Sequence, residues 1–199
     1  MHSYATNSPL QLRLIVWLAG LAAGISIGVG WVTSWAKSSW GFNVGGISAM
    51  TAFALLYFIF DRWLWKLKPL RAWLLIPDLN GTWRCEGKAV DPTSGDVAHD
   101  WSAEIRICQS WSRIGVVLKA ASSSSRSISA SVYHHPGEGF RLIYVYDNTP
   151  KADQVRLARH SGQCDLIFAE DLQSAEGRYF NDGDRLTSGT MRLLKGSNA

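Results

Sequence analysis

The sequence predicts a membrane-anchored all-β protein, in which an N-terminal two-helix transmembrane hairpin precedes a compact antiparallel β-barrel of about eight strands. Three observations predict this fold. Two long apolar runs precede Asp61, Trp and basic residues flank these runs, and apolar and polar residues alternate from Asp78 onward. We expect residues 1–61 to form the helices, 62–77 a basic juxtamembrane linker and 78–196 the barrel.

Each apolar run is long enough to cross a bilayer. Leu14–Ala36 and Ser38–Phe60 each contain 23 residues without a charge, and a helix rises about 1.5 Å per residue across a hydrocarbon core of about 30 Å. A signal peptide is the alternative for the first run, but that run is too long, lacks an Ala-x-Ala cleavage site and is followed by a second span. A buried helical hairpin in a soluble protein is the other alternative.

Tryptophan and basic residues indicate how the spans are oriented. The loop between them carries only Lys37, whereas "DRWLWKLKPLR" carries four basic residues just after the second span. Cytoplasmic loops hold the excess of Lys and Arg, so we expect both termini and the barrel to face the cytoplasm. Tryptophans lie at both expected interfaces, as membrane proteins favour: they are Trp31, Trp35, Trp40, Trp63, Trp65 and Trp73.

A stripe of glycines runs along the first span. Gly20, Gly24 and Gly28 repeat at every fourth position, so another helix can approach this face closely. The neighbour is either the second span of the same hairpin or the first span of another protomer, and the two arrangements are compatible. Neither span contains an acid or a base, which argues against a proton relay or a permanent ion pore.

The charge distribution argues against binding to a DNA or RNA polymer. Residues up to Pro77 hold six basic residues and one acid, whereas the later part holds 14 basic and 15 acidic residues. The barrel is therefore about neutral, without the basic groove that a duplex requires. The odd number of distant cysteines, Cys85, Cys108 and Cys164, suits free thiols in a reducing compartment.

The alternation from Asp78 onward indicates strands joined by turns rich in Gly, Pro, Asn, Asp and Ser. A β-sandwich with similar patterns is the alternative to a barrel. The expected strands are 81–90, 99–109, 112–121, 126–134, 139–146, 155–160 continuing or breaking into 163–169, 176–181, and 187–195.

The expected strands 126–134, 139–146 and 176–181 contain candidate ligand contacts. Strict alternation places Arg126 on the same face as Ile128 and Val132, so an inward face would bring a guanidinium into the lumen, where it needs an anionic or hydrogen-bonding partner. A position at the solvent-exposed rim is the alternative. Tyr144 and Tyr179 are either core residues with satisfied hydroxyls or ligand contacts.

Sequence motifs provide no support for an enzyme. The chain has no Gly-x-Ser-x-Gly elbow, Walker loop, His-Glu-x-x-His or Gly-x-Gly-x-x-Gly. "NDGDR", with Asp182 and Asp184, is too short for an EF-hand and is typical of a hairpin turn. We therefore predict no catalytic residue, no metal site and no cofactor.

Two transmembrane spans, a short basic linker and an all-β domain together resemble the two-transmembrane, β-strand-rich effectors of bacterial cyclic-oligonucleotide anti-phage signalling (CBASS). The more specific patterns are "IPDLNGTW" at 76–83 and "AEGRYFNDGDRLTSGTMRL" at 175–193. The resemblance implies a barrel that binds a cyclic dinucleotide. Binding would drive homo-oligomerisation of the hairpins in the bacterial inner membrane, disrupt that bilayer and kill the infected cell.

A cyclic dinucleotide has two phosphates and two bases, so its site should combine basic and aromatic side chains. The candidates are Trp83, Trp101, Arg126, Tyr144, Arg178 and Tyr179. Trp83 has a second interpretation, because a Gly-x-Trp opening resembles lipocalins, in which the Trp plugs one end of the barrel. The alternative function is accordingly a membrane-tethered, lipocalin-like carrier or sensor of a lipid-like molecule.

Overall fold

A computed structural model describes residues 1–8, 10–41, 45–91, 94–152, 158–182 and 187–196. The chain divides into two compact units. The helical unit is Ser8–Leu74, and the β unit combines Met1–Asn7 with Leu75–Ala199. The first seven residues therefore belong to the β unit, although the helical unit follows them in the chain.

The helical unit contains α1 (Leu10–Trp40), α2 (Ala49–Arg62), a 3-10 turn (Leu64–Lys66) and α3 (Lys68–Leu74). Among the described residues, α1 is the one helix whose length and composition suit a membrane crossing. With 14 residues, α2 is only about 21 Å long at the usual rise. The predicted second span, Ser38–Phe60, is therefore not confirmed.

The ends of the two longer helices follow from their sequences. Gly41 has a φ of 72°, and its N–H donates to the Lys37 carbonyl at 3.0 Å. A left-handed glycine of this kind is the usual end of a helix. At the start of α2, Ser48 caps the helix because its Oγ accepts the Thr51 N–H at 3.1 Å.

The glycine stripe of α1 faces away from the buried side of that helix. Leu14, Leu18 and Ala22 are buried, whereas a Cβ added at Gly20, Gly24 or Gly28 would meet no atom within 4 Å. Gly20 and Gly24 each lie two positions after a buried residue in the sequence, which corresponds to about 200° around a helix. Within the described residues, the stripe therefore has no close neighbour in this chain.

The β unit is a closed antiparallel barrel of eight strands. Each strand pairs with the next one along the chain, and the last pairs with the first. This confirms the predicted barrel over a sandwich. The strands are β3 (Gly81–Val90), β4 (Val97–Gln109), β5 (Arg113–Ala120), β6 (Ser123–His135), β7 (Gly139–Pro150), β8 (His160–Phe168), β9 (Ser174–Asn181) and β10 (Ser188–Lys195). Of the predicted segment 155–160, residues 155–157 lie outside the described residues.

Two short strands that the sequence did not predict complete the wall. They are β1 (His2–Ser3) and β2 (Ala5–Thr6). β1 pairs antiparallel with β5, where His2 lies opposite Ile114, and β2 pairs parallel with β6, where Thr6 lies opposite Val132. Residues Met1–Asn7 thus lie between β5 and β6, and we call them the seam strand.

A β-bulge in β6 changes which side chains face the interior. The pairing of β6 with β7 shifts between Ser127 and Ser129, so Ser125 and Ser127 are buried before the shift and Val132 after it. The assignment of Arg126 and Val132 to one face is therefore wrong, because the extra residue reverses the alternation. Arg126 is exposed on the outside of the barrel.

Candidate ligand-binding cavity

The barrel has a cavity of about 170 Å³ at one end. Among the described residues, its lining residues come from the strand ends that meet there. These residues are Ala89, His99, Trp101, Leu118, Ala120, Ser122, Ser123, Ser125, Tyr144, Tyr146, Asn148, His160, Tyr179, Asn181, Thr187 and Met191. We call this end of the barrel the mouth.

Trp83 closes the opposite end. Its side chain is fully buried, its ring meets Phe168 edge to face with centroids 5.1 Å apart, and its indole N–H donates to the Leu79 carbonyl at 3.2 Å. The ammonium of Lys195 lies 5.3 Å from the ring centroid. Trp83 therefore fills this end of the barrel, which is the position that its second interpretation expects.

Aromatic side chains form much of the cavity wall. Trp101 and Tyr179 meet edge to face with ring centroids 5.5 Å apart, and the Trp101 indole N–H donates to the Tyr179 hydroxyl at 3.1 Å. Tyr144 and Tyr146 follow on β7, with ring centroids 5.9 Å apart. Such rings offer flat faces to a planar ligand.

Three of these rings lie over glycines on the neighbouring strand. Trp101 is opposite Gly87, Tyr146 is opposite Gly162, and Tyr179 is opposite Gly189. A Cβ at each glycine would lie less than 3 Å from the paired ring. Glycine within a strand often marks such a close approach, so the three glycines set the positions of the rings.

Neutral polar groups complete the lining near the mouth. Tyr146 donates its hydroxyl to Asn181 Oδ1 at 2.8 Å, and Asn181 Nδ2 donates to Thr187 Oγ1 at 2.7 Å. None of the described lining residues is Lys, Arg, Asp or Glu. Burial raises the pKa of Tyr146, so its hydroxyl stays neutral and remains a donor.

Asn148 has one side-chain atom without a partner. Its Nδ2 lies 3.1 Å from His160 Nε2, and His160 Nδ1 lies 3.2 Å from the Ala158 carbonyl. Since a carbonyl only accepts, the proton belongs on Nδ1, Nε2 accepts from Asn148, and Asn148 Oδ1 faces away. That oxygen is buried and lacks a hydrogen bond.

Two thiols lie beneath the aromatic residues. Burial raises the pKa of Cys85 to about 12 and the pKa of Cys164 to about 12. Because the thiolate is the reactive form, both groups are unreactive at neutral pH. The described residues contain no group of three His, Cys, Asp or Glu side chains that is placed to hold a metal ion.

The cavity brings together three of the six predicted ligand contacts. Trp101, Tyr144 and Tyr179 line it. Arg178 is exposed on the outer face, because it neighbours Tyr179 on β9 and adjacent residues of a strand point to opposite faces. Arg126 is likewise outside, and Trp83 lies at the far end. A role for the two arginines as ligand contacts stays a prediction and receives no support from their positions.

Arg178 instead borders a larger, open depression of about 1160 Å³ on the outer wall. Its charged residues carry both signs, and Arg192 lies 3.6 Å from Glu176. This surface is the outer charged face of β3, β9 and β10, where the side chains are solvated. The smaller cavity, with its converging aromatic rings and polar groups, is the better candidate site.

The sequence-based prediction missed Tyr146, Asn148, His160, Asn181 and the three glycines. Asn148 and His160 lay outside or at the edge of the expected strands. The glycines carried a signal, because a glycine inside an alternating strand predicts a close neighbour. Which aromatic ring each glycine contacts depends on the register between strands, which the sequence does not specify.

Comparisons with known proteins agree with this geometry. A family model described as "Cap15, cyclic dinucleotide receptor domain" matches residues 74–195. A protein of Yersinia aleksiciae named "CD-NTase-associated protein 15" is 37% identical to the chain over 149 residues, which cover 75% of this chain and 70% of that protein. The matched family region begins at the boundary where the chain re-enters the β unit.

Proposed function

Because the chain belongs to the Cap15 cyclic dinucleotide receptor family of CBASS effectors, we propose that a cyclic dinucleotide in the barrel cavity triggers self-assembly of the N-terminal helices. Assembly then disrupts the inner membrane and kills the phage-infected cell. The family is a receptor family and not a known enzyme family. The ligand is therefore a signal that the protein binds without chemical change.

The observation that carries the proposal is the aromatic wall at the mouth. Trp101, Tyr144, Tyr146 and Tyr179 place ring surfaces around one cavity, and base stacking on such rings contributes about 1–3 kcal/mol per base. Seryl, threonyl and amide groups surround the rings and supply neutral donors for phosphate oxygens.

The size of the cavity adds a requirement. Ligand pockets usually enclose about 300–1,000 Å³, whereas this cavity encloses about 170 Å³. A cyclic dinucleotide therefore inserts only if the mouth strands move apart. The proposed receptor is a contracted barrel that its ligand widens.

Chain topology supports a hairpin that enters and leaves the bilayer on one side. Met1–Asn7 and Leu75–Ala199 belong to the same folded unit, so both flanks of the helical unit lie on one side of a membrane. If α1 crosses the bilayer, the chain between Gly41 and Leu74 must cross back to the side on which the β unit lies. The basic residues after Asp61 favour the cytoplasm as that side, because cytoplasmic flanks of spans are enriched in Lys and Arg.

The open glycine stripe supports assembly through α1. A stripe of small residues lets helices approach closely in lipid, and no atom of the described residues lies within 4 Å of a Cβ built at Gly20, Gly24 or Gly28. We propose that α1 helices of several protomers pack along this face once the ligand is bound. Bilayer disruption follows from that packing.

Calorimetry of the full-length protein in detergent tests the sensing step. We expect at least one cyclic dinucleotide of a panel to bind, and Trp101→Ala to weaken that binding. Phe180→Ala is the matched control, because this ring is 50% exposed on the outer face. If no cyclic dinucleotide or trinucleotide binds, the sensing role is overturned.

Vesicles of bacterial lipids with a trapped dye test the effector step. We expect the ligand to release dye from vesicles that contain the protein. Binding without release would contradict membrane disruption. Mass spectrometry of solvent extracts tests the alternative function, since a co-purified lipid in the barrel would favour a lipid carrier.

A further inference from the structure

The pairing between β5 and β6 is the shortest ladder in the barrel wall. Within the described residues, these strands pair only where Val117 faces Arg126, Leu118 faces Ser125 and Lys119 faces Ser124. The neighbouring ladder of β4 and β5 runs over seven residue pairs. Each lost pair removes backbone hydrogen bonds, so β5 and β6 separate more easily than other neighbours.

The seam strand occupies the gap where β5 and β6 diverge. Ser3 lies opposite Arg113 on β5, and Ala5 lies opposite Ser131 on β6. The Asn7 side chain bonds the His134 backbone twice, donating to its carbonyl and accepting its N–H, each at 3.2 Å. The segment therefore acts as an added strand that is held mainly by backbone groups.

Side chains hold the same segment from within the wall. His2 Nε2 lies 2.8 Å from Ser127 Oγ, and that Oγ also accepts the Val116 N–H at 2.9 Å. Gln109 Nε2 donates to the Tyr4 hydroxyl at 3.3 Å. Gly115 provides room for Met1, because a Cβ there would lie 3.2 Å from Met1 Cγ. The gap is thus a shaped site for an extended peptide.

The cavity and the gap share a boundary. Leu118 and Ser125 both line the cavity. They form the middle one of the three β5–β6 pairs, next to the pair of Val117 and Arg126 at which the gap begins. A ligand that is larger than the cavity pushes its wall outward, and the wall yields first at its shortest ladder. Widening of the mouth therefore acts directly on the gap.

We propose that the β5–β6 gap is a strand-binding site, which the seam strand fills in the resting protein and which ligand entry empties. The proposal rests on the proposed function, since it assumes a ligand in the cavity. The seam strand leads within three residues into α1, which begins at Leu10. Its release therefore transmits ligand binding from the barrel to the helix that assembles.

A reversible disulfide tests this step in the full-length protein. Ser3 and Arg113 are both exposed and lie opposite each other, so Ser3→Cys with Arg113→Cys fixes the seam strand in place when oxidised. We expect the oxidised protein to release no dye from vesicles and to bind the ligand about tenfold more weakly, because the disulfide disfavours the widened form that holds the ligand. Reduction should restore both properties.

The control cross-links a long ladder of the same barrel. Lys88 and Thr190 are exposed opposite each other on β3 and β10, so Lys88→Cys with Thr190→Cys adds a disulfide without touching the gap. We expect normal dye release from this variant. If the seam disulfide leaves release and binding unchanged while the unmodified protein responds, the strand-release proposal is overturned and the receptor function stands. If the unmodified protein binds no cyclic dinucleotide, the function itself fails.

Hydrogen–deuterium exchange measures release without any substitution. We expect the amides of residues 2–7 to exchange faster when the ligand is bound, while those of β3 and β10 keep their protection. Equal or slower exchange in residues 2–7 on ligand binding would overturn the proposal.

Discussion

Trp101 lies directly across from Gly87, so close that a Cβ on Gly87 would overlap its indole ring. The glycine thus keeps the ring flat against β3, in position to hydrogen-bond Tyr179. Any side chain at position 87 must displace the ring. A small change at this inward-facing position of β3 therefore alters the aromatic wall of the cavity.

We expect Gly87→Ala to reduce cyclic dinucleotide affinity roughly tenfold to hundredfold, because the displaced Trp101 no longer stacks on a base. Calorimetry measures the loss. Lys88→Ala is the control, since Lys88 neighbours Gly87 but is exposed on the outer face. Unchanged affinity in Gly87→Ala would exclude Trp101 as a ligand contact.

Asn148→Leu should leave the unliganded barrel at least as stable as the natural protein. Asn148 Oδ1 is buried without a partner, and such an oxygen costs about 1–3 kcal/mol. The substitution removes this unfavourable contribution to the free energy of folding, which offsets the loss of the hydrogen bond to His160. Thermal unfolding followed by circular dichroism checks this, and a fall in melting temperature of many degrees would show that Asn148 supports the fold.

We expect Gly24→Leu to abolish ligand-induced dye release while ligand affinity stays the same. The fold of the single chain tolerates the new side chain, because a Cβ at Gly24 meets no atom within 4 Å. Its bulk instead blocks close approach of another helix. Ala23→Leu is the control, because it adds the same bulk one residue away from the stripe. If assembly uses the glycine stripe, this variant should release dye normally.

Alkaline pH should destabilise the barrel. Below about pH 9, Cys85 and Cys164 are protonated in both the folded and the unfolded states. Between pH 9 and their folded pKa values of about 12, only the unfolded state loses these protons, so the free energy of unfolding falls as pH rises. The slope is about 1.4 kcal/mol per pH unit for each thiol.

Thermal melts between pH 7 and 11 measure this slope. Cys85→Ala and Cys164→Ala should each flatten this slope, because each removes one thiol with a raised pKa. A slope unaffected by these two substitutions would assign the alkaline transition to other groups. The raised pKa of the buried Tyr144 makes its hydroxyl the next candidate.

The clean alternation of β3 and β4 allowed the barrel to be predicted, because every second side chain of these strands enters the core. The same rule failed in β6, where one extra residue at Ile128 reversed the faces and moved Arg126 outside. The seam strand gave no signal at all. Its two strands have two residues each, too few for any periodicity.

The apolar run Ser38–Phe60 shows a different limit. Composition alone gives it the length of a span, but its first three residues end α1, and α2 begins after the Ser48 cap. The cavity was partly predictable, since its aromatic residues were identified. Asn148, His160 and the glycine–aromatic pairs depend on the register of neighbouring strands, which only the folded chain supplies.

The seam strand has a practical consequence for work on the receptor in isolation. A protein trimmed to residues 75–199 to remove the apolar helices also loses the strand that fills the β5–β6 gap. It then carries unpaired strand edges, which favour pairing with other molecules. If such a fragment forms oligomers, we expect them to result from these unpaired edges and not from ligand-induced assembly. A fragment with residues 1–7 linked ahead of Leu75 keeps the strand that completes the barrel wall.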